Sequence, residues 1–140
     1  MLVKEIMTKN VITIDPAETV LDAATKYRDY KVGCLVVTDT QGHCVGIVTE
    51  RDLIERTICM GKNPEQTRID EIMSSEVKTV NALDTIERAL TVMREHHIKK
   101  LPVTLQDEIV GIITVTDISK ARPELSERFI DSWVKPRWVD

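Results

Sequence analysis

Two stretches decide the fold: Gly46-Ile47-Val48-Thr49-Glu50-Arg51-Asp52-Leu53 and Gly111-Ile112-Ile113-Thr114-Val115-Thr116-Asp117-Ile118. In each, a glycine opens a short apolar run, the run ends at a threonine, and an aspartate follows three positions later. The apolar run reads as the end of a strand. Thr-x-x-Asp reads as the capped start of a helix, where the hydroxyl and the carboxylate each accept a backbone N–H. Two such strand-to-helix turns in one chain of 140 residues point to duplication.

The rest of the chain agrees. A shift of 66 positions lays Glu5-Ile6-Met7-Thr8 on Glu71-Ile72-Met73-Ser74 and Val11-Ile12-Thr13-Ile14 on Val77-Lys78-Thr79-Val80. Thr19 meets Thr85, Ala23 meets Ala89, Arg28 meets Arg94, and Leu35-x-Val37-Thr38 meets Leu101-x-Val103-Thr104. The register then slips by one at the turn Asp39–His43, which is one residue longer than its counterpart around Gln106-Asp107. Insertions belong in surface turns, so the position of the slip supports the alignment.

Each unit reads β-α-β-β-α. A strand over 11–14 stops at Asp15-Pro16, and a helix over about 19–30 starts at the capping box Thr19-x-x-Asp22. Val20, Ala23, Ala24 and Tyr27 trace its apolar stripe; Ile86, Ala89, Leu90, Met93 and His97 trace the equivalent one. Strands over 34–38 and 45–48, and over 101–104 and 109–113, follow. Closing helices run from Glu50 to about Met60 and from Val115 to about Ala121, ended by Gly61 and Pro123. The expected fold is α+β: two tandem β-α-β-β-α repeats, 1–62 and 63–122, with pseudo-two-fold symmetry, and a tail over 123–140. A unit this small buries too little alone. The expectation is therefore that the two sheets share one core and leave two related clefts, where small ligands settle.

Composition excludes several classes. The chain is 42% hydrophobic and 30% charged, as in globular proteins. It has neither an apolar run long enough for a bilayer nor a secretory h-region at its start, which predicts a cytoplasmic protein without membrane contact. A net charge of −4 speaks against nucleic acid as a partner. Cys34, Cys44 and Cys59 have neither zinc-ribbon nor disulfide spacing. His96 and His97 are adjacent, so on a helix they point about 100° apart and cannot chelate together. No metal site, no P-loop and no catalytic triad is predicted, hence no enzyme.

The pattern Ile6-Met7-Thr8-x-x-Val11-x-Thr13, Pro16, Leu35-Val36-Val37-Thr38-Asp39 and Gly46 to Leu53 resembles the cystathionine β-synthase (CBS) domain. So does the second unit, through Ile72-Met73, Lys99-Lys100-Leu101-Pro102-Val103 and Gly111-Ile112-Ile113-Thr114-x-x-Asp117. The resemblance covers roughly residues 3 to 121. It implies a pair of such domains acting as a stand-alone regulatory module, often dimeric. Its implied ligand is AMP, ADP, ATP or another adenosyl compound such as S-adenosylmethionine, with no catalytic cofactor.

The candidate site follows. Thr49-x-x-Asp52 and Thr114-x-x-Asp117 have two readings. As caps they close helix starts; by resemblance each aspartate accepts the ribose hydroxyls, while the threonine hydroxyl and first-turn amides face phosphate. Lys99 and Lys100 are either solvated charges at a helix end or, by resemblance, phosphate contacts. The first repeat has Gly33 and Cys34 at those positions; Arg51 is a candidate replacement. By resemblance, the Asp117 cleft takes its adenine slot from Lys9, Asn10, Val11, Val32 and Gly33, and the Asp52 cleft draws on Ser75 to Val77 and Ile98. Ile47 and Ile112 would line the ribose side. In the tail, Leu125, Phe129 and Trp133 lie at spacing four, with Trp138 beyond: a packing surface for its own module, a second subunit or a partner. Three functions remain open: an adenine-nucleotide sensor acting on an unknown protein, a ligand-free dimeric scaffold, and a nucleic-acid binder using Lys99-Lys100.

Overall fold

A computed structural model describes residues 1–125. Phe129, Trp133 and Trp138 of the tail lie outside the described residues. In chain order the elements are α1 (Val3–Ile6), β1 (Thr13–Ile14), α2 (Val20–Tyr30), β2 (Cys34–Thr38), β3 (Cys44–Thr49), α3 (Glu50–Leu53), a π-turn (Ile54–Ile58), α4 (Ile69–Ile72), β4 (Val80–Asn81), α5 (Ile86–His96), β5 (Lys100–Leu105), β6 (Glu108–Thr114) and α6 (Val115–Ala121). The α+β class and the β-α-β-β-α order of each repeat are as expected.

Helix α2 begins where the sequence predicts. Thr19 Oγ1 accepts the Asp22 N–H at 3.2 Å, and Asp22 Oδ2 accepts the Thr19 N–H at 2.9 Å. The Thr19 backbone donor, foremost, holds the Asp22 carboxyl below the usual carboxylate range. Thr85 caps α5 in the same way, accepting from the Arg88 N–H at 3.2 Å. Both helices stop on a left-handed residue, Lys31 and His97, each with φ 54°. That turn sends Val32 and Ile98 back onto the cores, the apolar contact that commonly accompanies such a C-cap. His97 is therefore an exposed C-cap residue and not part of the buried stripe, and Ala24 is exposed as well.

Each unit contains one three-stranded sheet. Strand β1 runs parallel to β2 and β4 parallel to β5, while β3 and β6 return antiparallel. Cys34 pairs with Thr49, and Lys100 pairs with Thr114. Alternation along β3 and β6 puts Val48 and Ile113, both fully buried, on the core face. Ile47, Thr49, Ile112 and Thr114 therefore belong to the opposite face.

The packing units differ from the sequence repeats. One unit is Met1–Asn10 with Lys78 onward; the other is Val11–Val77. The leader of the first repeat thus packs with the body of the second, and residues 63–77 pack with the body of the first. Each unit has its own apolar cluster. One is built on Val3, Ile86, Ala89, Met93, Leu101 and Ile113; the other on Ile14, Ala23, Leu35, Val48, Ile69 and Ile72. Docking is the same in both. The Val3 N–H donates to Asp84 O at 2.8 Å and the Lys4 N–H to Ala82 O at 3.0 Å. The Ile69 N–H donates to Glu18 O at 2.8 Å and the Asp70 N–H to Pro16 O at 3.1 Å. Glu5 and Glu71, three residues after each helical turn's cap, accept the N–H of Leu2 and Arg68.

The helix expected from Glu50 to Met60 changes pitch at Ile54. The Cys59 N–H reaches Ile54 O at 2.9 Å and the Lys62 N–H reaches Thr57 O at 3.0 Å, both i→i+5. Thr57 is fully buried, and its hydroxyl has no hydrogen-bond partner among the described residues. A buried unpaired hydroxyl is destabilising, and valine has the same branching without it. Thr57→Val is expected to stabilise the protein by about 1 kcal/mol. The check is a urea midpoint that rises with an unchanged slope; an unchanged or lower midpoint would mean the hydroxyl is satisfied in solution.

Candidate functional site

Both Thr-x-x-Asp turns are closed capping boxes. In the first, the Thr49 N–H donates to Asp52 Oδ2 at 2.9 Å and the Asp52 N–H to Thr49 Oγ1 at 3.2 Å. In the second, the Thr114 N–H donates to Asp117 Oδ2 at 3.0 Å and the Asp117 N–H to Thr114 Oγ1 at 3.1 Å. The bond count leaves chemistry over. Each carboxylate spends one oxygen on the box, and each threonine hydroxyl keeps its own proton to donate. First-turn amides are scarcer than the sequence reading supposed. The Val115 N–H already donates to Lys99 O at 3.0 Å and the Asp117 N–H is used in the box.

The second oxygen separates the boxes. Asp52 Oδ1 lies 3.8 Å from Arg56 Nε. Arg56 Nη1 in turn donates to Ile72 O at 2.8 Å and lies 3.4 Å from Ser74 Oγ. Among the described residues Asp117 has no ion pair; the residue four positions on is Ala121. Sequence reasoning missed Arg56, although an acid and an arginine at i and i+4 on a helical stretch are a recognisable pair. Arg51, the candidate replacement cation, is exposed and paired with Glu55 at 2.6 Å.

The leaders complete the picture. The Thr8 N–H donates to Ile112 O at 2.8 Å and the Ile112 N–H to Thr8 O at 2.9 Å, so residues 9 and 10 leave from beside β6, two residues from Thr114. Ser74 and Ile47 exchange the same two bonds at 3.0 Å each, so residues 75–77 leave from beside β3 in the same way. Lys9, Asn10, Ile98, Lys99, Lys100, Ile112, Thr114 and Asp117 thus belong to one unit. Val11, Val32, Gly33, Ile47, Thr49, Arg51, Asp52 and Val77 belong to the other. Lys9 and Asn10 thus fall in the unit of Asp117, at the boundary where Val11 opens the other. Val32 and Ile98 are half-buried, each packed against the core of its own unit.

Among the described residues no cluster of three His, Cys, Asp or Glu side chains could hold a metal ion. Cys34 is buried, Cys44 half-buried and Cys59 exposed. Among the described residues no helix is long and apolar enough to cross a membrane.

Fold and boxes together define a tandem-repeat module with a Thr–Asp turn in each half. The CBS domain model matches residues 3–58 and 69–124, and the chain belongs to the CBS domain family. It is 35% identical over 117 residues to the CBS domain-containing protein YhcV of Bacillus subtilis, covering 84% of this chain and 82% of that one. It is 34% identical over 124 residues to an uncharacterized protein of Methanopyrus kandleri, of whose length it spans 63%, with 88% of this chain covered. Among solved structures it is similar to the CBS domain pair of MJ0100 in complex with 5′-methylthioadenosine and S-adenosyl-L-methionine, with a TM-score of 0.80, 28% identity, and 89% and 98% of the two chains covered.

The boxes have a structural cost that is independent of any ligand. Asp117→Ala removes the acceptor of the Thr114 N–H and is expected to destabilise the ligand-free protein by about 1 kcal/mol. Urea unfolding without ligand measures it, and a midpoint identical to wild type would show that the box contributes nothing.

Proposed function

We propose that this chain is a regulatory module that binds an adenine nucleotide, AMP, ADP or ATP, at its Thr–Asp turns and signals occupancy to a partner protein, with no catalysis of its own. The observation that carries the reading is the half-used carboxylate. Asp117 is fixed by its box through Oδ2, which leaves Oδ1 to accept hydrogen bonds from a ribose diol. The cap and the diol contact then coexist on one side chain. Lys100 pairs across the sheet from Thr114, and Lys99 gives its carbonyl to the first amide of α6. Both lysines are therefore within side-chain reach of a phosphate whose sugar sits on Asp117. That MJ0100 was solved with two adenosyl compounds supports the ligand class.

Regulation follows from differential affinity. A nucleotide that prefers one arrangement of the module shifts the population toward it, and a partner reads the shift. The scaffold reading is favoured by a separate feature: Ile54, Ile58 and Met60, in and after the π-turn, are 53%, 65% and 67% exposed. Such a surface suits association into a homodimer, and the two readings are compatible.

Two measurements test this. Thermal melting with AMP, ATP, S-adenosylmethionine and a short RNA should show a midpoint that rises with nucleotide concentration and does not move with RNA. No response to any adenosyl compound would overturn the sensor. For association, Ile58→Glu is expected to shift the mass in solution from dimer to monomer; an unchanged mass would remove the π-turn from the interface.

A further inference from the structure

We infer that the two sites take ligands of opposite charge: the Asp117 site an anionic, phosphate-bearing adenosyl ligand, and the Asp52 site an uncharged or cationic one. The inference rests on the adenosyl reading and adds to it which site accepts which chemistry. It comes from three equivalent segments of each unit: the residues leaving the leader bridge, the two residues opening the middle strand, and the first two turns after the box threonine.

Around Asp117 these segments carry Lys9, Lys99, Lys100 and Lys120 against the single carboxylate. Lys9 follows Thr8, which is bridged to Ile112, and Lys100 pairs with Thr114. Lys120 is three residues from Asp117 on α6. Among the described residues none of the four lysines is in an ion pair, so their charge is available to a ligand.

Around Asp52 the same segments carry Glu50, Asp52, Glu55 and Glu76 against two arginines. Both arginines are engaged: Arg51 with Glu55 at 2.6 Å, Arg56 with Asp52 at 3.8 Å and with the Ile72 carbonyl. Where Lys100 faces Thr114, buried Cys34 faces Thr49. The leader contributes Glu76 at the place of Asn10, and Ser75 at the place of Lys9.

Charges several ångströms from a bound phosphate, near a protein surface, each change its affinity by roughly several-fold. A surplus of three positive charges and a surplus of two negative ones therefore order AMP and adenosine differently. The fold is common to both sites, so backbone and diol contacts cancel in the comparison.

The experiment is calorimetric titration of the full chain with AMP, adenosine and S-adenosylmethionine, using variants that leave one box each. Asp52→Ala retains the Asp117 site. It is expected to bind AMP at least about tenfold more tightly than adenosine, with an advantage that shrinks as salt is added. Asp117→Ala retains the Asp52 site, where adenosine or S-adenosylmethionine should bind at least as tightly as AMP. Lys99→Glu and Glu76→Lys, both at exposed positions outside the boxes, guard against loss of a cap. The first should reduce the preference for AMP at the Asp117 site, and the second should raise it at the Asp52 site. The same ligand order in both single-site variants, unmoved by the charge reversals, overturns the division while leaving adenosyl binding intact. No binding of any of the three compounds to the wild-type chain overturns the adenosyl reading itself, and the division with it.

Discussion

The structure depends on how each leader is docked. A single helical turn, α1 or α4, is too short to be stable alone. It persists because its amides donate to carbonyls ahead of the long helix and its apolar side chains, Val3 or Ile69 and Ile72, enter a core. The chain then runs along the edge of β6 or β3 and exchanges two hydrogen bonds with Ile112 or Ile47. That approach requires a glycine. A Cβ on Gly111 would stand 2.9 Å from Thr8 O and 2.6 Å from Met7 Sδ, and one on Gly46 would stand 3.1 Å from Ser74 O and 2.5 Å from Met73 Sδ. The glycine that opens each signature stretch is there for the leader. The threonine three positions on is there for the helix.

From that docking the candidate sites acquire their composition. The leader held at Ile112 continues into Lys9, in the unit whose box has Lys99 and Lys100 beside it. The leader held at Ile47 continues into Ser75 and Glu76, in the unit whose box has Gly33 and Cys34 where the other has lysines. Capping and ligand contact do not compete for the same atoms. A box fixes one carboxylate oxygen and one hydroxyl lone pair, and rigidity of the remaining oxygen is an advantage for binding, because less side-chain freedom is lost when a ligand arrives.

Much of this was legible in the sequence because it is local. Thr-x-x-Asp, the period of α2 and α5, and the two-strand hairpins each report on residues within a few positions of one another, and they were placed within a residue or two. What escaped was non-local. Glu5-Ile6-Met7-Thr8 and Glu71-Ile72-Met73-Ser74 are near copies, so either leader satisfies either body equally well on paper. No periodicity says which body each one joins, so the packing units could not be told from the sequence repeats. The π-turn escaped differently. Ile54 and Ile58 fit an α-helical spacing, and widening the turn leaves no mark in polarity. His97 looked like the next member of an apolar stripe because its spacing from Met93 is helical, yet the helix ends one residue before it.

Duplication makes the two halves a controlled comparison within one chain. Positions that serve the fold agree between them: the glycine at the leader, the threonine and aspartate of each box, the left-handed cap at Lys31 and His97, the buried alanine at 23 and 89. Positions where the halves disagree in charge include Lys9 against Ser75, Lys100 against Cys34, Lys120 against Glu55 and Ala121 against Arg56. None of these is called for by the strand pairing or the caps, which are the same on both sides. They surround the carboxylates. If only stability were at stake, divergence there would have no preferred sign. Instead nearly every difference adds positive charge to one box and negative charge to the other, or neutralises the second carboxylate from within. A common frame with opposed electrostatics is what two different ligands require, and it is more than one ligand bound twice would need.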